Sequence, residues 1–314
     1  MRDPTDAREQ TLIALLACLA ARGYRFTTIG PASHARVLAR RPGALAADLR
    51  DVLGWSLPFK PGTIDADVEG LLDQAGVLIA DGETSRAAVR VSSRGEQLFV
   101  HSAYPTEAPD AVFFGPDSYR FAAAVEAELA RRPLATGAHI VDIGAGGGVG
   151  GIVASLLSRK ARVTLVDINP QALFFARVNA AAAGLRVETL RDDSLALVED
   201  PIDFAITNPP YIMDEAGRAY RHGGDLLGGA IALEMARRAA SRLAPGGRLL
   251  LYTGATIVAG RSPLVDALEQ LAAERHLAFA CCETDPDVFG EELANPAYRE
   301  AERIAIVVAT LHRD

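Results

Sequence analysis

Cysteine is scarce. There are three in 314 residues, Cys18 in an apolar helical run and Cys281 and Cys282 side by side, which excludes a disulfide framework and shows no metal-ligand spacing. Unpaired core thiols in a reducing compartment are expected. Long apolar runs are also lacking. Leu12 to Ala21 is too short to span a bilayer, and Met1 to Gln10 is polar and mixed in charge, so a cytoplasmic protein without a membrane partner is expected. Basic residues are in deficit, 32 Lys and Arg against 40 Asp and Glu, for a formal charge of −8. No global positive field draws in a polyanion. The deficit is spread along the chain: residues 1–110 hold 12 basic against 14 acidic side chains, and residues 111–314 hold 20 against 26. No internal repeat or low-complexity segment is visible. What is present is an ordinary globular balance, 49% hydrophobic and 23% charged, over a length that suits two domains.

The first third reads as helices followed by a hairpin. Leu12, Leu15, Leu16 and Leu19 recur at helical spacing before a Gly23 stop. Further helical patterns carry Val37 and Leu38, then Leu45, Leu49, Val52 and Leu53, then Val68, Leu71 and Leu72 before Gly76. Two strand-like runs, Ala87 to Val91 and Gln97 to Val100, flank the turn signal Ser92 to Glu96. This order resembles a winged-helix module, which would dock on nucleic acid or protein. Without a basic stripe, a structural or substrate-selecting role is the stronger expectation. Trp55 is expected as a core or interdomain anchor. Ser102 to Asp110 reads as a linker, so the expected domains are residues 1–105 and 106–314.

Beyond the linker, strands and helices alternate. Strands are expected at His139–Ile143, Arg162–Val166, Arg186–Leu190, Phe204–Thr207, Arg248–Tyr252, Ala278–Cys282 and Ile304–Thr310, with helices at Phe121–Arg131, Gln171–Ala183 and Ile231–Leu243. Such alternation predicts an α/β fold, a Rossmann-like seven-stranded mostly parallel sheet with helices on both faces. The smaller helical, winged-helix-like domain precedes it.

Val141 to Gly151 runs from a buried-type strand into a glycine-rich turn, where the backbone can take positive φ and let a ligand approach closely. Gly146, Gly148 and Gly151 satisfy the dinucleotide spacing; Asp142, Gly144, Gly146 and Gly148 satisfy that of an S-adenosylmethionine loop. Asp167, ending the second strand, suits ribose hydroxyls in either case. Asp142 tips the balance, since a carboxylate there repels a pyrophosphate and suits a ligand with an ammonium and a sulfonium. The bland alternative for both aspartates is a cap or turn role.

Asn208-Pro209-Pro210-Tyr211 follows the apolar strand 204–207. Two prolines fix φ twice and donate nothing, so this is a rigid strand-end loop. It can aim the Asn208 side chain and the Pro209 carbonyl at one NH₂ group, with the Tyr211 ring as a stacking face. Together with the loop from Asp142, with Asp167 and with Asp193, it resembles a class I S-adenosylmethionine-dependent methyltransferase of the N-P-P-Y type, related to protein-glutamine and nucleobase-amine N-methyltransferases. Tyr220 to Asp225 and Pro245-Gly246-Gly247 are similar to the glutamine enzymes that modify release factors. The acidic signature of those enzymes is replaced by Phe113 to Arg120, and the N-terminal segment here is longer.

The resemblance implies an enzyme, a transferase using S-adenosyl-L-methionine and no metal, that places a methyl group on a planar amide or exocyclic amine nitrogen of a protein, a nucleic acid base or a metabolite. Candidate catalytic residues are Asn208, Pro209, Pro210 and Tyr211. Candidate cofactor contacts are Asp142, Gly144, Ala145, Gly146, Gly148, Asp167, Ile168, Asp193, Ser194 and Asn208, with Asp193 or Ser194 at the adenine edge. Asp117 or Ser118 is expected as a helix N-cap; alternatively Phe114 and Tyr119 close over the cofactor. His222 lies near a candidate substrate loop, and the histidines show no metal spacing. An NAD-dependent oxidoreductase and a non-catalytic winged-helix binding protein are the alternatives. The acceptor and the oligomeric state stay open.

Overall fold

The apolar β-branched runs of the second half pair into one twisted sheet in the computed structural model, which describes residues 4–213 and 222–314. The N-terminal part is built from α1 (Pro4–Ala21), α2 (Pro31–Leu38), α3 (Leu49–Leu53) and α4 (Ala66–Gln74), then the hairpin β1 (Leu78–Asp81) and β2 (Thr84–Ala87) and the hairpin β3 (Val89–Arg94) and β4 (Gln97–Ser102). The rest follows as α5 (Pro116–Arg131), β5 (His139–Ile143), α6 (Val149–Leu157), β6 (Arg162–Asp167), α7 (Pro170–Ala182), β7 (Glu188–Arg191), β8 (Ile202–Thr207), α8 (Ala230–Arg242), β9 (Leu243–Ile257), α9 (Pro263–Glu274), β10 (Ala278–Asp285) and β11 (Arg303–His312), with two short 3₁₀ turns at Gly290–Ala294 and Pro296–Tyr298.

The seven strands lie in the order β10-β11-β9-β8-β5-β6-β7. β7, β6, β5, β8 and β9 are parallel, whereas β11 runs antiparallel to both β9 and β10. The chain winds outward from β5 through β6 to β7, then returns to the other side of β5 as β8. Such a reversal leaves a crevice at the carboxyl ends of the two central strands. The glycine turn after β5 and the Asn208 loop after β8 both lie there. The Pro245-Gly246-Gly247 run enters β9 at a register shift opposite Ile202. Gly246 takes φ +75°, and a Cβ on Gly247 would lie 2.6 Å from the Ile202 carbonyl, so only glycine fits that approach.

Three expectations need correction. The N-terminal part has two hairpins rather than one. The first turns at Asp81-Gly82-Glu83-Thr84 with Gly82 at φ +60°, an Asp-Gly turn signal in the sequence. Ser102 to Asp110 is not a free linker: the Tyr104 ring lies 4.1 Å from that of His34, and Ser102 exchanges hydrogen bonds with Val112. The two parts also meet in one core. Leu12, Leu16, Leu98 and Val100 share one apolar core with Ala172, Phe174, Phe175 and Val178 of α7, so a chain beginning near residue 106 would expose that face. Trp55 packs in this N-terminal core, edge-on to Phe26 at 5.4 Å. Finally, Cys281 and Cys282 are exposed on β10 at the sheet edge and Cys18 is half-buried; all three are free but none is fully in the core.

Candidate functional site

A cavity of about 600 Å³ fills the crevice, within the range usual for small-molecule sites. Its floor is the turn from Ile143 to Gly147, one wall is Asp167, Ile168 and Asn169 after β6, and the other is Asn208 to Ile212 after β8. The roof comes from residues 104–114 and Pro31. The charged side chains lining it among the described residues are Glu107, Asp117, Asp167, Asp192, Asp193 and Glu234, against the single cation Arg238. The field there is negative and favours a cationic ligand.

The glycine turn is shaped for a ligand. Gly144 and Gly146 take φ +68° and +54°, and the space above Gly146 is open, with nothing within 4 Å of where a Cβ would stand. Gly147 donates nothing to the protein side chains but its carbonyl accepts from Asn179 Nδ2 at 2.9 Å. The Asp167 carboxylate accepts from the Gly146 amide through Oδ2 and the Asn169 amide through Oδ1, both at 2.8 Å. With the Ile168 amide also against it, the carboxylate still keeps acceptor capacity for a ligand hydroxyl. Burial pushes its pKa up despite these bonds. Ile168 is 54% exposed while lining the cavity, an apolar surface that a flat ring can cover.

Three expected contacts lie elsewhere. Asp142 is buried beneath the turn, outside the cavity lining. Its Oδ2 accepts from the Gly151 amide at 2.7 Å while Oδ1 is buried with no partner among the described residues. Burial pushes this carboxyl up to about 7. Asp142 therefore ties the first turn of α6 to β5. Gly148 also faces inward, at φ +82°, where a Cβ would stand 3.2 Å from Ala176 and Leu165. Ser194 is engaged in its own turn: its hydroxyl donates to Asp192 at 2.8 Å and accepts from the Ala196 amide at 3.3 Å. Asp193 is exposed and lines the cavity, so of that pair only the aspartate faces it. The helix before the sheet is capped by Gly115, whose amide donates to Ser118 Oγ at 3.2 Å, not by Asp117. Phe114 does line the cavity, stacked 5.3 Å from His101, whereas the Tyr119 hydroxyl turns away to accept from the Thr28 amide.

The loop after β8 is held on every side. Thr207 Oγ1 donates to the Ile143 carbonyl at 2.8 Å, joining the ends of β8 and β5. The next residue, Asn208, lines the cavity, and its side-chain amide has no partner among the described residues. Pro209 and Pro210 carry the chain to Tyr211, whose hydroxyl donates to Asp117 Oδ2 at 2.8 Å. Tyr252 donates to Asp117 Oδ1 at 3.1 Å. Gly254 lies under the Tyr211 ring, where a Cβ would be 2.1 Å from Cδ2. Gly223 and Gly228 pack on the Tyr211 backbone just as closely. Tyr220 and Arg221 lie outside the described residues, and His222 does not line the cavity. Among the described residues, no group of His, Cys, Asp and Glu could hold a metal and no helix is long and apolar enough to cross a membrane.

Residue pattern alone did not single out Tyr252, Gly254 and Asn179, and it marked Asp117 only as a candidate helix cap. Asn179 carried a signal, a polar residue in an otherwise apolar helix face beside Phe175 and Val178.

Comparison with known proteins agrees with this geometry. Residues 127–273 match the family model described as methyltransferase small domain. The release factor glutamine methyltransferase of Deinococcus radiodurans is 35% identical over 165 residues, 49% of this chain and 55% of that protein. The ribosomal RNA large subunit methyltransferase G of Pseudomonas aeruginosa is 29% identical over 246 residues, covering 71% of this chain and 63% of that protein. The chain thus spans about half the length of the release factor enzymes it matches. Among solved structures, wild-type Trm5b from Pyrococcus abyssi shares the fold at 17% identity and a TM-score of 0.50, over 76% of this chain and 62% of that one. Residues 127–273 thus match the methyltransferase small domain family, and the relatives are methyltransferases named for release factor glutamine and for ribosomal RNA.

Proposed function

We propose that this protein transfers a methyl group from S-adenosylmethionine to the nitrogen of a planar amide or exocyclic amine. The observation that carries the reading is Asn208, on a rigid loop and with no side-chain partner among the described residues, in one cavity with the glycine turn and Asp167. When bound, the cofactor supplies a methyl group on a positively charged sulfur, and sulfur keeps the electron pair of the broken bond. In this reading Gly144 to Gly147 lie against the cofactor, Asp167 accepts from its ribose hydroxyls through the acceptor capacity left to it, Ile168 covers a face of the adenine and Asp193 reaches the adenine edge. Asp142 and Gly148 hold the turn from beneath. Asn208 Oδ1 and the Pro209 carbonyl accept the two N–H bonds of the acceptor, and the Tyr211 ring lies against its plane. That leaves the nitrogen lone pair facing the methyl carbon. The nitrogen then gives up one proton. Positioning of this kind can lower a barrier by roughly 7–11 kcal/mol.

An uncharged protein amide fits better than a nucleobase. The cavity is acidic, and Arg22, Arg25, Arg41, Arg86 and Arg94 of the N-terminal part are each paired with a carboxylate. Relatives named for release factor glutamine and for ribosomal RNA both occur. Residues 1–105 select the acceptor, and cytoplasmic work suits the three free cysteines. No observation favours an NAD-dependent oxidoreductase or a binding protein without activity. The test is a cell extract incubated with tritium-labelled S-adenosylmethionine and the protein. Label in protein supports the reading. Label in RNA, together with RNA binding that falls steeply with salt, moves the acceptor to a nucleobase. Stabilisation by NAD but not by S-adenosylmethionine overturns the cofactor.

A further inference from the structure

We infer that Asp117 is a positioning residue that acts through Tyr211: its carboxylate fixes the tyrosine ring as the wall against which the acceptor lies. The inference deepens the methyltransferase reading and rests on it for its kinetic consequence. Its geometric content stands by itself.

Three separate elements meet at this carboxylate. Asp117 is in the first turn of α5, Tyr211 follows β8, and Tyr252 lies within β9. One oxygen accepts from each phenol, at 2.8 and 3.1 Å. Pro116 and the Gly115–Ser118 bond fix the start of α5, so the carboxylate cannot swing away. Arg120 stands 3.7 Å from Asp117 and 3.1 Å from Asp285, and supplies the balancing charge.

The ring that Asp117 holds is confined elsewhere too. Gly254 leaves room for it on one side, and Phe289 meets it edge-on with centroids 5.9 Å apart. Gly228, at φ +89°, would drive a Cβ to 2.2 Å from the Tyr211 carbonyl, so the backbone is seated as tightly as the ring. On its open side the ring borders the cavity, and the bond to Asp117 ties its phenol end there. A carboxylate buried at a cavity wall is costly unless its bonds are made. An apolar side chain would fill the same space but would not set a direction for the hydroxyl. The directional requirement accounts for an acid here.

The experiment uses the full chain with 3-fluorotyrosine placed at position 211 and read by fluorine NMR. One narrow resonance is expected with Asp117 present, and a shifted, broadened or split one in Asp117→Ala. An unchanged resonance would overturn the inference. The second readout is label transfer from tritiated S-adenosylmethionine into the extract. Asp117→Ala should lower the rate at saturating cofactor by about 10²-fold, the scale of a misplacement near 1 Å. Its dissociation constant for S-adenosylhomocysteine should stay within about threefold, since the cofactor contacts are untouched. Asp117→Asn, which keeps the shape and one acceptor oxygen, should recover most of the rate. In a Tyr211→Phe background Asp117→Ala should cost under about twofold more, because no hydroxyl remains to be held. An equal loss in both backgrounds would show that Asp117 does not act through Tyr211. Should Asp117→Ala not fold, Asp117→Leu, which fills the space with no acceptor oxygen, serves the fluorine comparison, and an unmoved resonance there counts against the inference. If the unaltered protein transfers no label, the methyltransferase reading fails while the fluorine spectra still decide the geometry.

Discussion

Asn179 joins the N-terminal part to the cofactor turn, and its removal should be felt in both. The side chain is 1% exposed on α7. Its Oδ1 accepts from the Val100 amide at 2.8 Å, and its Nδ2 donates to the Val100 carbonyl at 3.1 Å and the Gly147 carbonyl at 2.9 Å. Asn179→Ala strands one buried donor and two buried acceptors, each costing about 1–3 kcal/mol if unmet. Water entering the vacated space restores part of this, so a loss of about 3–5 kcal/mol is expected. At about 2–4 °C per kcal/mol for a large domain, the thermal midpoint should fall by about 6–20 °C. Because the Gly147 carbonyl also loses its anchor, affinity for S-adenosylhomocysteine should fall about tenfold. Scanning calorimetry with and without that ligand measures both. A midpoint shift under about 1 °C with unchanged affinity would refute the coupling.

Other consequences are open to direct test. Asp167→Ala should remove most of the thermal stabilisation that S-adenosylhomocysteine gives by binding the native state, with NAD giving none to either protein. Asp142, with its folded pKa raised from 3.8 to about 7, binds more protons folded than unfolded between those values. Its contribution to stability is therefore lost as pH rises through that window, so urea midpoints of Asp142→Asn should fall less from pH 5 to pH 8 than those of the unaltered protein. Gly254→Ala pushes a methyl group into the Tyr211 ring and should cut label transfer about tenfold or more while leaving cofactor affinity within about threefold.

The parallel sheet was legible because strands buried on both faces read as continuous apolar runs. The glycine turn, Asp167 and Asn208 were legible because their chemistry is local to a strand end. What was not legible depends on distance along the chain. Asp117 is 94 residues from Tyr211 and 135 from Tyr252, and nothing beside it betrays a partner. Asn179 is 79 residues from Val100. The same limit applies to Asp142. A carboxylate two positions before a glycine can face a ligand or hold the turn from below, and only the path of the chain decides. Cys281 and Cys282 looked like core residues because Ala278 to Cys282 is apolar, yet that strand is the sheet edge with one neighbour.

The central claim is that Asn208 aligns an acceptor nitrogen with a methyl group held over the glycine turn. Its most direct test is the initial rate of tritium transfer from saturating S-adenosylmethionine into cell extract, compared between the unaltered protein and Asn208→Ala, with cofactor affinity measured alongside. The account predicts a rate lower by about 10²-fold or more with affinity within about threefold, since alignment acts mainly in the transition state. Transfer at an unchanged rate by Asn208→Ala, or a loss matched entirely by lost cofactor affinity, would contradict it.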